Sequence, residues 1–176
     1  LDFEIEDLRG ALGHDDVLGA IWFGDRLIKI DQSLDPTRNS RLLGRYRFTI
    51  AHEVGHWRLH RQHLMNDPRA AMLFEQDGTP AFVCRSTAKP SEEKQADMFA
   101  SCVLMPRRLV FEAWEEWRGS RDEVALADLA INPDDEIALG AFCRPLADCF
   151  EVSAQAMRYR LEKLELIVKE VEPRLF

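Results

Sequence analysis

At 176 residues the chain can bury one well-formed domain, with room for only a small second one. Its 46% apolar and 31% charged residues suit a soluble globular protein, and no apolar run approaches the roughly 20 residues of a membrane span. A net charge of −8 argues against general adhesion to nucleic acid.

The acidic start, Leu1 to Asp7, lacks the basic and apolar regions of a signal peptide. It also lacks an initiator Met, which points to a processed or trimmed start. Gly19 to Asp31 reads as a hairpin, with Ala20–Phe23 and Leu27–Ile30 about a Gly24-Asp25 turn. Residues 32–40 read as a loop. Arg38, Arg41, Arg45 and Arg47 then crowd the approach to a helix. They read first as a solvated face and second as a contact for an acidic stretch of a partner.

That helix is expected from about Leu42 to His63, and it carries His52-Glu53-Val-Gly-His56. Four residues of helix advance about 400°, so the two imidazoles point the same way, one turn apart. So placed they could bind one Zn²⁺, with Glu53 beside them as general base. Phe48, His52, Gly55, His56 and Leu59 share a face expected to look toward a core or cleft. Gly55 costs about 1 kcal/mol against Ala in a helix interior, which close approach of another segment would explain.

Residues 65–90 read as irregular, broken by Pro68, Gly78, Pro80 and Pro90, with Phe82-Val-Cys84 as a short third strand. Ser91 reads as the N-cap of a second helix to about Met105, with Glu92 and Glu93 in its first turn. Pro106 fits the first turn of a third, to about Trp117. After a variable acidic stretch the helical pattern returns from about Glu136 to Glu170. Cys84, Cys102, Cys143 and Cys149 show no Cys-x-x-Cys spacing, so they are expected to pack rather than ligate, in a reducing cytoplasmic setting.

A catalytic zinc needs a third protein ligand and an open position. His63 and His60 lie roughly 10 Å and 12 Å along the helix axis from His56 and His52 respectively, too far for one ion. His14 has no supporting pattern. Glu93 and Asp97 sit four apart on the second helix, with small Ala96 and Ala100 to let the helices approach. Glu93 could complete a His₂Glu set, and Asp97 could accept the free N–H of one ligand imidazole. The plainer alternative makes Glu93 a first-turn acid and Asp97 a surface residue. Zinc lowers the pKa of bound water from about 16 toward 7, and Glu53 is placed to move the proton. Tyr46, His60, Arg45 and Arg47 are candidate oxyanion donors. Mn²⁺ or Fe²⁺ can occupy such ligands in a cell. The 20–30 hairpin is a candidate sheet edge for an extended substrate.

Arg47-Phe-Thr-Ile-Ala-His52-Glu-Val-Gly-His56, then Leu59-His60, then Glu93-x-x-Ala96-Asp97-x-Phe99-Ala100 leading to Leu104-Met-Pro106, resembles the ImmA/IrrE metallopeptidases. The similarity covers about residues 18–110 and continues more weakly to about 167. It implies an α+β, zincin-like fold: a small three-stranded sheet packed on the motif helix, further helices, and a helix-turn-helix-like C-terminal segment. The expected organisation is a peptidase core over residues 1–118 and a helical extension over 119–176. It also implies that His52, His56 and Glu93 are zinc ligands and Glu53 the catalytic base. Members typically cleave a helix-turn-helix transcriptional repressor in stress responses or mobile elements, so a repressor is the implied partner. The stretch from 57 to 92 is fairly long, so the cleft rim is expected to differ.

Residues 146–164 read like a helix-turn-helix, with Ser153 as N-cap, a buried stripe of Ala156, Met157, Leu161 and Leu164, and Gln155, Arg158 and Arg160 available to DNA. Residues 151–176 carry five basic and five acidic groups, a poor footprint for DNA, so a packing or repressor-docking module is preferred. Two other readings of the whole chain stand beside the endopeptidase. One is a DNA-binding or antitoxin-like protein that keeps the fold without hydrolysis. The other is a zinc hydrolase of a small amide.

Overall fold

The structure, a computed structural model, describes residues 1–66, 80–85 and 91–168. Pro68, Gly78 and Pro90, and with them most of the span read as irregular, lie outside the described residues. The chain forms two compact units, Leu1–Val103 and Leu104–Phe176. Among the described residues no helix is long and apolar enough to cross a membrane.

The first unit is α+β. Strand β1 (Asp2–Glu6) leads through helix α1 (Leu8–Leu12) to β2 (Val17–Trp22) and β3 (Leu27–Asp31). Helices α2 (Leu43–Leu59) and α3 (Arg61–Asn66), strand β4 (Phe82–Arg85) and helix α4 (Ser91–Leu104) follow. The sheet has four strands, in the order β1-β3-β2-β4, where the sequence suggests three. The extra strand is the acidic start, whose Asp-Phe-Glu-Ile-Glu alternates polar and apolar residues although Phe3 and Ile5 are both exposed. It pairs parallel to β3, while β2 runs antiparallel to both neighbours.

The hairpin forms, but its turn runs over Phe23–Arg26 and the left-handed position falls at Arg26 (φ 55°), not in Gly24-Asp25. Both of its strands are flanked within the sheet, β3 by β1 and β2 by β4. The expectation that it offers a sheet edge to substrate is therefore corrected: the terminal strands are β1 and β4.

All six residues of β2 are buried, because both faces of the strand are covered. Val17, Ala20 and Trp22 join Leu8 of α1 on one face. Leu18, Ile21 and Phe23 meet Tyr46, Ile50, Val54 and Trp57 of α2 on the other. A register shift between Val17 and Gly19 breaks the alternation. Leu18 and Gly19 both turn toward α2, as a β-bulge allows.

In the second unit, helix α5 (Arg107–Arg118), strand β5 (Val124–Ala125), helices α6 (Glu136–Phe150) and α7 (Ala154–Lys163) and strand β6 (Ile167–Val168) enclose a core around Trp114, Leu139, Leu146, Met157 and Leu161. Pro106 is the N-cap of α5 rather than its first helical residue. Ser153 caps α7 as expected, its side chain accepting from the Ala156 N–H. The helical pattern stops short of Glu170, which lies outside the described residues: α7 ends at Lys163, and β6 pairs parallel to β5.

Of the three side chains that a DNA-reading helix would use, two are engaged within the protein. Arg160 is buried, and its Nε donates to the Met105 carbonyl at 2.9 Å. Arg158 is held between Glu136 at 2.6 Å and Glu162 at 2.8 Å. Cys143 is buried, and that burial pushes its thiol up to about 11, so it packs as expected.

Candidate metal centre

Helix α2 buries Thr49, His52, Glu53 and His56, a polar stretch that a purely structural helix would not place in a core. It is shorter than expected. The helix stops at Leu59, which was expected on the inward face but is 46% exposed, and His60 closes it by donating its backbone N–H to the His56 carbonyl. His14 and His63 are exposed.

α4 reaches α2 at its glycine. A Cβ on Gly55 would lie 3.1 Å from Ala96 Cα, 3.3 Å from the Ala96 carbonyl oxygen and 3.3 Å from Phe99 Cβ. Two of those obstacles are backbone, and Ala96 and Ala100 are fully buried. The small residues therefore set the distance between the helices, and so the reach of Glu93. Gly55→Leu should lower stability by about 1–3 kcal/mol through overpacking, despite the better helix propensity of Leu. Urea unfolding matching the parent would show that close approach is not what the glycine is for.

This approach brings three ligand atoms together. His52 Nε2 is 3.1 Å from one Glu93 oxygen, His56 Nε2 is 3.1 Å from the other, and the two Nε2 atoms are 3.0 Å apart. His52, His56 and Glu93 are all buried, and their ligand atoms lie within 4.8 Å of one another. Ligands around a tetrahedral zinc at roughly 2.0–2.1 Å stand about 3.3 Å apart, so the triangle could hold such an ion.

On its outer side His52 Nδ1 lies 3.0 Å from Asp97 Oδ1, which accepts the imidazole N–H and leaves the Nε2 lone pair facing inward. Burial lowers the pKa of His56, favouring the neutral ring that ligation needs. Burial also acts to raise Glu93, but the adjoining His52 and His56 imidazoles outweigh it and hold the carboxylate down, to about 2.

Glu53 is fully buried and neither of its oxygens has a hydrogen-bond partner. A Cβ on Gly19 would meet Glu53 Oε1 at 3.1 Å and Thr49 at 2.7 Å, so the bulge of β2 forms a close wall beside the carboxylate. Burial first, then the nearby Glu93 charge, push the Glu53 pKa up to about 8 against the opposing effect of His52. An orphaned carboxyl beside a ligand triangle fits a group that exchanges protons there.

The other expected residues are engaged within the protein or exposed. Tyr46 packs its ring against the cluster between α2 and the sheet. His60 engages both ring nitrogens within the protein, with His56 and Gln95, which leaves none for an oxyanion. Arg45 is exposed. Sequence reasoning missed Phe82, which stacks on His56 with ring centroids 4.1 Å apart, and Gln95. Neither position carries a spacing signal. Gly19 carries one: a glycine inside an apolar strand marks a close approach.

Residues 37–162 match the IrrE N-terminal-like domain of the M78 peptidases, a span that holds His52, Glu53, His56 and Glu93 and begins after the β2–β3 hairpin. No curated protein matches the chain. With well over half of its length matched, the chain belongs to the peptidase family of the IrrE N-terminal-like domain.

Proposed function

We propose that the chain is a zinc-dependent endopeptidase of narrow specificity that cleaves a helix-turn-helix transcriptional repressor. The observation that carries the enzymatic part is the convergence of two imidazole nitrogens and a carboxylate on one buried point. Asp97 fixes the tautomer of His52, so two Nε2 atoms 3.0 Å apart would repel unless a cation or a proton lay between them. The repressor rests on family resemblance.

His52, His56 and Glu93 hold the ion in this reading. A zinc ion bound there supplies Lewis-acid polarisation of the scissile carbonyl and acidifies water. Glu53, desolvated and without a competing partner, takes a proton from the attacking water and delivers it to the leaving amine nitrogen. Phe82 covers one face of His56 and excludes water from that side.

Purified protein is expected to carry about one zinc per chain, as the His₂Glu set requires. Chelation should stop cleavage of the repressor, and added zinc should restore it. A folded chain that takes up no zinc would remove the enzymatic reading.

A further inference from the structure

His60 is a buried polar side chain beside the ligand triangle for which the chemistry above has no use. It is 7% exposed and stands where the chain leaves α2 for α3. Its Nδ1 lies 3.0 Å from His56 Nδ1, and its Nε2 lies 3.2 Å from Gln95 Oε1. Phe82 packs over both rings, stacked on His56 and tilted at 45° to His60.

A bond between two Nδ1 atoms carries one proton, so its direction must be decided. Gln95 Oε1 only accepts, so His60 Nε2 carries hydrogen and donates to it. A neutral His60 then has a bare Nδ1, which accepts. His56 must therefore hold its proton on Nδ1, and its Nε2 lone pair faces Glu93 and His52. With the opposite polarity His56 would aim an N–H into the triangle and could not ligate.

We infer that His60, oriented by Gln95, is a positioning residue that locks His56 in its metal-competent tautomer. The inference rests on the zinc reading above. It gives the two ligand imidazoles unlike partners: the Asp97 carboxylate for His52, a second imidazole for His56. The chemistry favours that difference. Glu53, Glu93 and Asp97 already crowd the site, and a further carboxylate behind His56 would add another charge to a buried cluster.

The test is zinc retention against a chelator, paired with nitrogen NMR of the imidazoles and circular dichroism to follow the fold. His60→Leu removes the acceptor and should weaken retention about 10–100-fold. His60→Asn places an amide oxygen where Nδ1 stands and should stay within about threefold of the parent. Gln95→Met, at an exposed position, should weaken retention several-fold and let the His60 ring populate its other tautomer. It covers the case in which His60→Leu fails to fold. If the parent binds zinc and His60→Leu and Gln95→Met hold it equally well, the inference falls while the zinc reading stands. If the parent binds no zinc, the zinc reading falls and NMR of the zinc-free protein decides. A proton on His56 Nδ1 and on His60 Nε2 would support the lock, and the reverse polarity would overturn it.

Discussion

Glu53→Gln should keep its zinc and lose repressor cleavage by about 10²–10⁴-fold, the range expected when a general base is removed. The amide has nearly the size of the acid, so packing against Gly19 and Thr49 survives, but it cannot shuttle a proton. A second consequence concerns stability and separates this role from a structural one. In the zinc-stripped protein burial raises the Glu53 pKa from 4.5 to about 8. Between those values the folded state binds the proton more tightly than the unfolded state. Raising pH from 4.5 toward 8 therefore removes stability from the stripped parent. Glu53→Gln has no such group and should lose less over the same window, a difference that urea unfolding at several pH values would resolve. A variant that cleaves at more than about a tenth of the parental rate would deny Glu53 the base role.

Legibility in the sequence followed the range of the interactions. His52 and His56 lie one turn apart on one helix, and Glu93 and Asp97 one turn apart on another, so local periodicity predicts each pair. Gly55 and Ala96 signal close packing because each lacks a side chain that would keep the helices apart. Long-range pairing left weaker marks. β1 joins β3 in parallel across 20-odd intervening residues, and nothing in Asp-Phe-Glu-Ile-Glu names its partner. The break at His60 was hidden because Arg61 to Asn66 continues a helical pattern after the chain has turned. Arg158 and Arg160 were available to DNA by their place in the helix-turn-helix-like pattern. One caps a carbonyl in the core and the other spans two glutamates, which charge counting does not foresee.

Glu93→Ala should cost the chain most of its zinc, and the thermodynamics of that loss can be read without any substrate. The parent gains folding stability from bound zinc as RT ln(1 + [L]/Kd), about 2.7 kcal/mol at a hundred times Kd. In Glu93→Ala that gain should nearly vanish, so zinc should raise the melting temperature of the parent and barely move the variant. The variant keeps two imidazoles on one helix, and two ligands without the carboxylate leave a weak site open to solvent. Glu93→Asp retains the charge but withdraws it by one methylene from a triangle whose edges to His52 and His56 are each 3.1 Å. It should fall between the other two. The ranking parent, Asp, Ala tests geometry as well as charge, because a purely electrostatic role would leave Asp equal to the parent. Equal zinc-dependent stabilisation in all three would make Glu93 the wrong third ligand, even if the two histidines hold a metal.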